Sequence, residues 1–172
     1  MRFGAMRIAQ GSAVSSRAVL LVSASTATAG PPTEASGEWL YLPSIVDVRT
    51  AGCNTFLDTT EVGIWSGTFV GESAEVGNVV IHCNGRLGFN ASVTFDSVEV
   101  GGKTGSLEMR ANGVKASPEA DWVGHWVILS GSGELENLRG NGTFWGPGWL
   151  ESDPTAYGQI YYDGKVKFAP GN

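Results

Sequence analysis

A chain of 172 residues suits one domain with a sizeable core. Its 25 glycines, 16% charged and 42% hydrophobic residues exclude both a helical bundle and a disordered chain. Seventeen acidic side chains against 11 basic ones leave no electrostatic footprint for DNA, RNA or an anionic membrane, and no basic stripe interleaved with aromatics occurs.

The N-terminus reads differently from the rest. Arg2, Arg7 and Arg17 precede or flank a short apolar run at 18–22 (AVLLV). Small residues follow, ending in Ala27-Thr28-Ala29, an A-x-A cleavage pattern before Gly30. No acidic residue occurs before Glu34, and the apolar run is far too short for a membrane span. Residues 1–29 therefore read as a signal peptide. Ser23, Ser25 and Thr26 keep a disordered extension open as the alternative. Without the three arginines, eight basic residues face 17 acidic ones, a formal −9 for a secreted or extracytoplasmic chain.

Residues 30–37 (GPPTEASG) read as a flexible leader, and residues 38–170 as the folded domain. A first strand is expected at 38–42 (EWLYL), stopped by Pro43. The segment 61–71 (EVGIWSGTFVG) alternates as one strand, with Trp65 and Phe69 on one face. Strands at 78–84 (NVVIHCN) and 90–100 (NASVTFDSVEV) come next, then a turn at Gly101-Gly102-Lys103 and a return strand at 104–112. The most apolar strand is 122–130 (WVGHWVILS). Its faces are Trp122/Gly124/Trp126/Ile128 and Val123/His125/Val127/Leu129, and the larger aromatic area predicts Trp122 and Trp126 inward with His125 outside. In 130–144 (SGSGELENLRGNGTF) one helical turn would put Leu135 and Leu138 together as a plug for a barrel end, with Glu134, Glu136 and Arg139 as its solvated rim. Segments 142–145 and 158–168 (GQIYYDGKVKF) complete the set.

About eight strands without helical crossovers imply an all-β, antiparallel architecture, and closing the sheet into a single barrel removes both sticky edges. Cys53 and Cys83 suit a disulfide closing a loop of about 30 residues in an exported chain, with two free thiols as the alternative. His82 neighbours Cys83 but points to the opposite strand face, and no metal-ligand spacing occurs, so no metal and no cofactor are expected.

The run GSGELENLRGNGTF, closed by AYGQIYYDGKVKF, resembles the C-terminal half of domain of unknown function 3224, an uncharacterised bacterial family. AGCNTFLDTTEVGIWSGTFVGES and VTFDSVEVGGKTGSLEMRANG are similar to its exported branch, so the resemblance covers residues 50–168. It implies a calycin-like barrel, similar in shape to allene oxide cyclase and dirigent proteins. The family offers no established catalytic residues to carry over. The insert at 146–154 (GPGWLESDP) and the pair Cys53/Cys83 fall outside its pattern.

Three function classes remain. A binding module would hold a small apolar or aromatic molecule inside the barrel, with Trp65, Trp122, Trp126 and Tyr162 as the expected ligand-binding residues, and Trp145 and Trp149 as further aromatics. Each of these could equally be core or rim packing. The second class is a cyclase or isomerase needing a shaped pocket and one acid–base group; the third is a structural barrel with a filled interior. Among acid–base candidates, His125 and Asp121 share a face but stand about 13 Å apart along one strand, too far to hydrogen-bond. No G-x-S-x-G elbow occurs, GGKTG at 101–105 is too short for a phosphate loop, and no carboxylate pair stands out. The ligand and the oligomeric state are not readable from the residues.

Overall fold

The computed structural model describes residues 30–148 and 157–170. The expected signal peptide and Trp149 lie outside the described residues. Eight strands follow in chain order: β1 Thr33–Ala51, β2 Asn54–Gly67, β3 Phe69–Ile81, β4 Leu87–Val100, β5 Lys103–Lys115, β6 Trp122–Gly131, β7 Leu138–Gly148 and β8 Gly158–Phe168. Each pairs antiparallel with the next and β8 pairs with β1, so the sheet is a closed barrel. One 3₁₀ turn, Gly133–Leu135, lies between β6 and β7. No helix among the described residues is long and apolar enough to cross a membrane.

Three strand boundaries differ from expectation. β1 begins at Thr33, inside the segment read as a leader, and its Ala35 joins the core. It also runs through Pro43. The β8 partner ends at Tyr41, opposite Gly158, so beyond that point β1 is paired on the β2 side alone. A proline without an N–H is tolerated where one side of a strand carries no ladder. The segment 61–71 is not one strand but a hairpin: β2 turns into β3 at Gly67, whose φ of 98° is open to glycine and strained for other residues. Trp65 and Phe69 do share the interior, on two different strands.

The interior follows the alternation of the strands. Trp39 and Trp65 stack with ring centroids 4.8 Å apart, and Phe69, Phe95 and Tyr162 surround Trp65 edge-on or tilted at 5.3–6.0 Å. Phe69 in turn meets Trp126 edge-on. Such contacts add to the area these rings remove from water. One barrel end is sealed: the 3₁₀ turn delivers Leu135, and Leu138 follows at the start of β7, both fully buried, as the leucine spacing predicts.

The opposite end is uneven. There β1 and β2 project beyond β8, because β8 pairs with β1 only as far as Tyr41↔Gly158 while β1 and β2 pair out to Ala51↔Asn54. Cys53, between β1 and β2, and Cys83, between β3 and β4, are joined there as a disulfide with Cα atoms 5.1 Å apart. By alternation Leu57, Val79, Ile81, Leu87 and Phe89 face inward on this lip, and all are only half-buried.

Candidate functional site

Strands β2 and β3 depart from the usual pattern of a barrel wall. Their inner faces carry Thr59, Glu61, Gly63, Ser73, Glu75 and Gly77, while Val62, Ile64, Val70 and Val76 face solvent. The hairpin register sets Glu61 directly across from Glu75, Gly63 across from Ser73 and Thr59 across from Gly77. A polar patch of small residues and two carboxyls therefore sits on the inside wall, beneath the apolar lip.

Glu75 is 1% exposed. Its Oε1 accepts from Ser73 Oγ at 2.7 Å, and Ser73 Oγ accepts from Trp65 Nε1 at 2.9 Å. Glu75 Oε2 and the indole N–H of Trp39 are both buried without a hydrogen-bond partner. Gly63 creates the room for this group: a Cβ there would collide with Glu75 Oε1 and Ser73 Oγ, and would lie 2.9 Å from Trp39 Nε1. Burial pushes the Glu75 carboxyl up to about 8, with repulsion from Glu61 adding to the shift; the Ser73 hydroxyl and the nearby Trp39 and Trp65 N–H dipoles pull against it. Burial also raises Glu61, opposed by the hydroxyl of Thr59, which donates to Glu61 Oε1 at 3.2 Å, and by the Glu75 carboxyl. At neutral pH the pair thus retains a proton that two exposed glutamates would release.

Glu61 and Thr59 line an interior cavity of about 40 Å³ together with Trp39, Tyr41, Phe89 and Trp122. The cavity lies below the lip formed by Leu57, Val79 and Phe89, three inner residues on one rung of β2, β3 and β4. Above it, Lys115 is buried, its Nζ donating to Pro147 O at 3.0 Å and lying 5.7 Å from the Trp122 ring centroid. Desolvation lowers the Lys115 ammonium, with Asp121 and Glu119 opposing.

The four aromatics expected to bind a ligand are not gathered at one cavity. Trp122 lines it. Trp65, Trp126 and Tyr162 are packed deeper, with their polar atoms engaged. Trp126 Nε1 donates to Thr143 O at 3.2 Å and Asp163 O at 3.0 Å, and the Tyr162 hydroxyl donates to Ser66 O at 2.9 Å while accepting from Phe69 N at 3.1 Å. Trp122 and Trp126 face inward and His125 outward, so His125 stands apart from the interior carboxyls. Asp121 is exposed outside β6. The Glu61/Glu75 pair escapes sequence reading because the β2–β3 turn reads as strand interior. With the turn placed at Gly67, the one-to-one register from Trp65↔Gly71 brings residues 61 and 75 opposite each other. Among the described residues, no group of three or more His, Cys, Asp or Glu side chains is placed to hold a metal.

No protein-family model matches this chain, and no curated protein matches it. Among solved structures, a protein of unknown function from the DUF3224 family of Shewanella oneidensis superposes with a TM-score of 0.62 at 18% identity, over 82% of this chain and 100% of that one. A pterocarpan synthase dirigent protein superposes with a TM-score of 0.47 at 12% identity, over 89% of this chain and 97% of that one. The chain resembles the DUF3224 family, and the likeness is one of fold.

Proposed function

We propose that this barrel takes a small, largely apolar molecule through its open end and presents the Glu61 carboxyl to it. The observation that carries the reading is the placement of a buried carboxyl pair beneath a half-buried apolar lip, at the one barrel end that the leucine plug does not seal. An interior of about 40 Å³ holds about one water molecule. A ligand of drug-like size must therefore displace the half-buried side chains of Val79 and Phe89. The walls supply apolar area and the floor supplies one hydrogen-bonding group, the usual composition of a small-molecule site. Export after removal of residues 1–29 belongs to the same reading and is supported by the Cys53–Cys83 disulfide.

A second reading, acid–base catalysis of a cyclisation or isomerisation, is favoured by one specific observation: Glu75 titrates at about 8, near the pH at which a group both gives and takes protons efficiently. Glu61 would contact the substrate and Glu75 would hold the shared proton behind it. This chemistry would need no cofactor.

Titration of the protein with the neutral, apolar fluorophore N-phenyl-1-naphthylamine tests the binding reading. Saturable fluorescence enhancement is expected, and Val79→Trp, which fills the lip, should abolish it. Equal enhancement in a folded V79W protein would overturn the interior site and leave a structural barrel with a filled interior.

A further inference from the structure

The outer wall carries a second concavity, which shares with the lining of the interior cavity Phe89 alone. It is a groove of about 750 Å³ running across β4, β5, β6 and β7. Its polar wall is a ladder of side chains on successive strands. Asn90 pairs with Asn112, Asn112 with His125, and His125 with Thr143, and all four are exposed. Thr143 continues the row by donating to Asp163 Oδ1 at 2.7 Å. Gly113 and Gly124 face each other across β5 and β6 on the inner side of this wall; a side chain at Gly124 would collide with the Phe144 ring, which packs behind the groove floor from inside.

At one side stands Trp145, 42% exposed although it is a tryptophan, with Tyr161 beside it at 6.2 Å and 32° between ring planes. Both histidines of the chain, His82 and His125, line the groove, and among the described residues no Asp, Glu, Lys or Arg does so.

We propose that this groove binds a neutral carbohydrate chain. Amides, imidazoles and a threonine hydroxyl both donate and accept, matching hydroxyl groups that do the same. An exposed indole offers a flat apolar face to the C–H side of a pyranose ring. The open, elongated shape accommodates an internal stretch of a polymer. With no cation in the lining, phosphate-bearing ligands lack the charge-assisted partners they require. The strands that form the groove, β4 to β7, are each paired on both sides, so the groove offers no strand edge for an extended peptide to extend.

Affinity electrophoresis through gels containing barley β-glucan, xylan or galactomannan, with a chitin hexasaccharide as soluble competitor in calorimetry, tests the proposal. Binding to at least one of the four is expected. Trp145→Ala should weaken it at least about tenfold, and Asn112→Ala by about three- to tenfold, the loss of one or two hydrogen bonds. Val79→Trp, inside the barrel, should leave it unchanged, so the result is independent of the interior reading. Circular dichroism melts establish that each variant is folded. Absence of binding to all four carbohydrates overturns the proposal. So does binding that survives both W145A and N112A, or that is lost in V79W alone.

Discussion

Replacing Glu75 by glutamine keeps the shape of the side chain and removes its titration. In the fold the carboxyl titrates at about 8, against 4.5 for the free group. Below pH 4.5 folded and unfolded chains both hold the proton, and burial of Glu75 carries no ionisation penalty. Between 4.5 and 8 the unfolded chain releases the proton while the folded one keeps it, so stability falls as pH rises. The slope approaches ~1.4 kcal/mol per pH unit for one group, which brings the penalty to roughly 3 kcal/mol at neutral pH. The neutral amide of the variant escapes this penalty and can still accept from Ser73 through its oxygen. Glu75→Gln is therefore expected to be about 2–3 kcal/mol more stable than the parent at pH 7, after allowing up to ~1 kcal/mol for imperfect amide pairing. The two proteins should converge near pH 4.5, the ordinary carboxyl value. Urea melts at pH 4.5, 7 and 8.5 measure the difference. A stability difference that does not change with pH, or a variant weaker than the parent at pH 7 and 8.5, would refute the claim that Glu75 is buried protonated.

Gly63→Ala places a methyl group against Glu75 Oε1 and Ser73 Oγ and is expected to cost about 1–3 kcal/mol in chemical denaturation; an unchanged midpoint would show that the carboxyl has room to retreat. Loss of the Cys53–Cys83 bond in the double alanine variant should remove roughly 3–4 kcal/mol, the loop-closure contribution for a sequence separation of 30, read by calorimetry against the parent. Trp126→Ala should cost about 3–5 kcal/mol, because a fully buried indole with two backbone acceptors disappears. His125→Ala, on the exposed face of the same strand, should cost under about 1 kcal/mol in the same urea melts, and the reverse order would overturn the face assignment.

The barrel is legible in the sequence wherever the inner face of a strand is the larger and more apolar one. In β6 aromatic area decides between Trp122/Trp126 and Val123/His125, and the leucine pair at 135 and 138 is readable as a plug from spacing and flanking glycines alone. The reading loses its footing on β2 and β3, where the ordinary pattern is inverted. Val62, Ile64 and Val76 lie outside, and the residues turned inward are Thr59, Glu61, Ser73 and Glu75. Hydrophobic alternation cannot tell which phase faces the core when the core face is polar. The hairpin turn at Gly67 is hidden for a related reason, since SGT between two alternating runs continues their rhythm. The carboxyl pair depends on both features, so it comes only with the register. The aromatics are recognisable as a class. Their division into packed residues and a cavity-lining Trp122 depends on which strand rung each occupies, which composition does not encode.

The order of the strands around the ring also governs how the chain can assemble. Every pairing except one joins strands that are consecutive in sequence, so seven hairpins can zip locally as the chain lengthens. The exception is β1 with β8, where Thr33 meets Val166 and Trp39 meets Ile160. Of the described strands, the first in the chain therefore waits for the last before its second edge is covered. Until then Ala35, Trp39 and the Trp65 ring stacked on Trp39 have no complete interior to enter. Ring closure is consequently the step with the largest chain entropy to overcome, and the open sheet that precedes it is the species most exposed to edge-to-edge association.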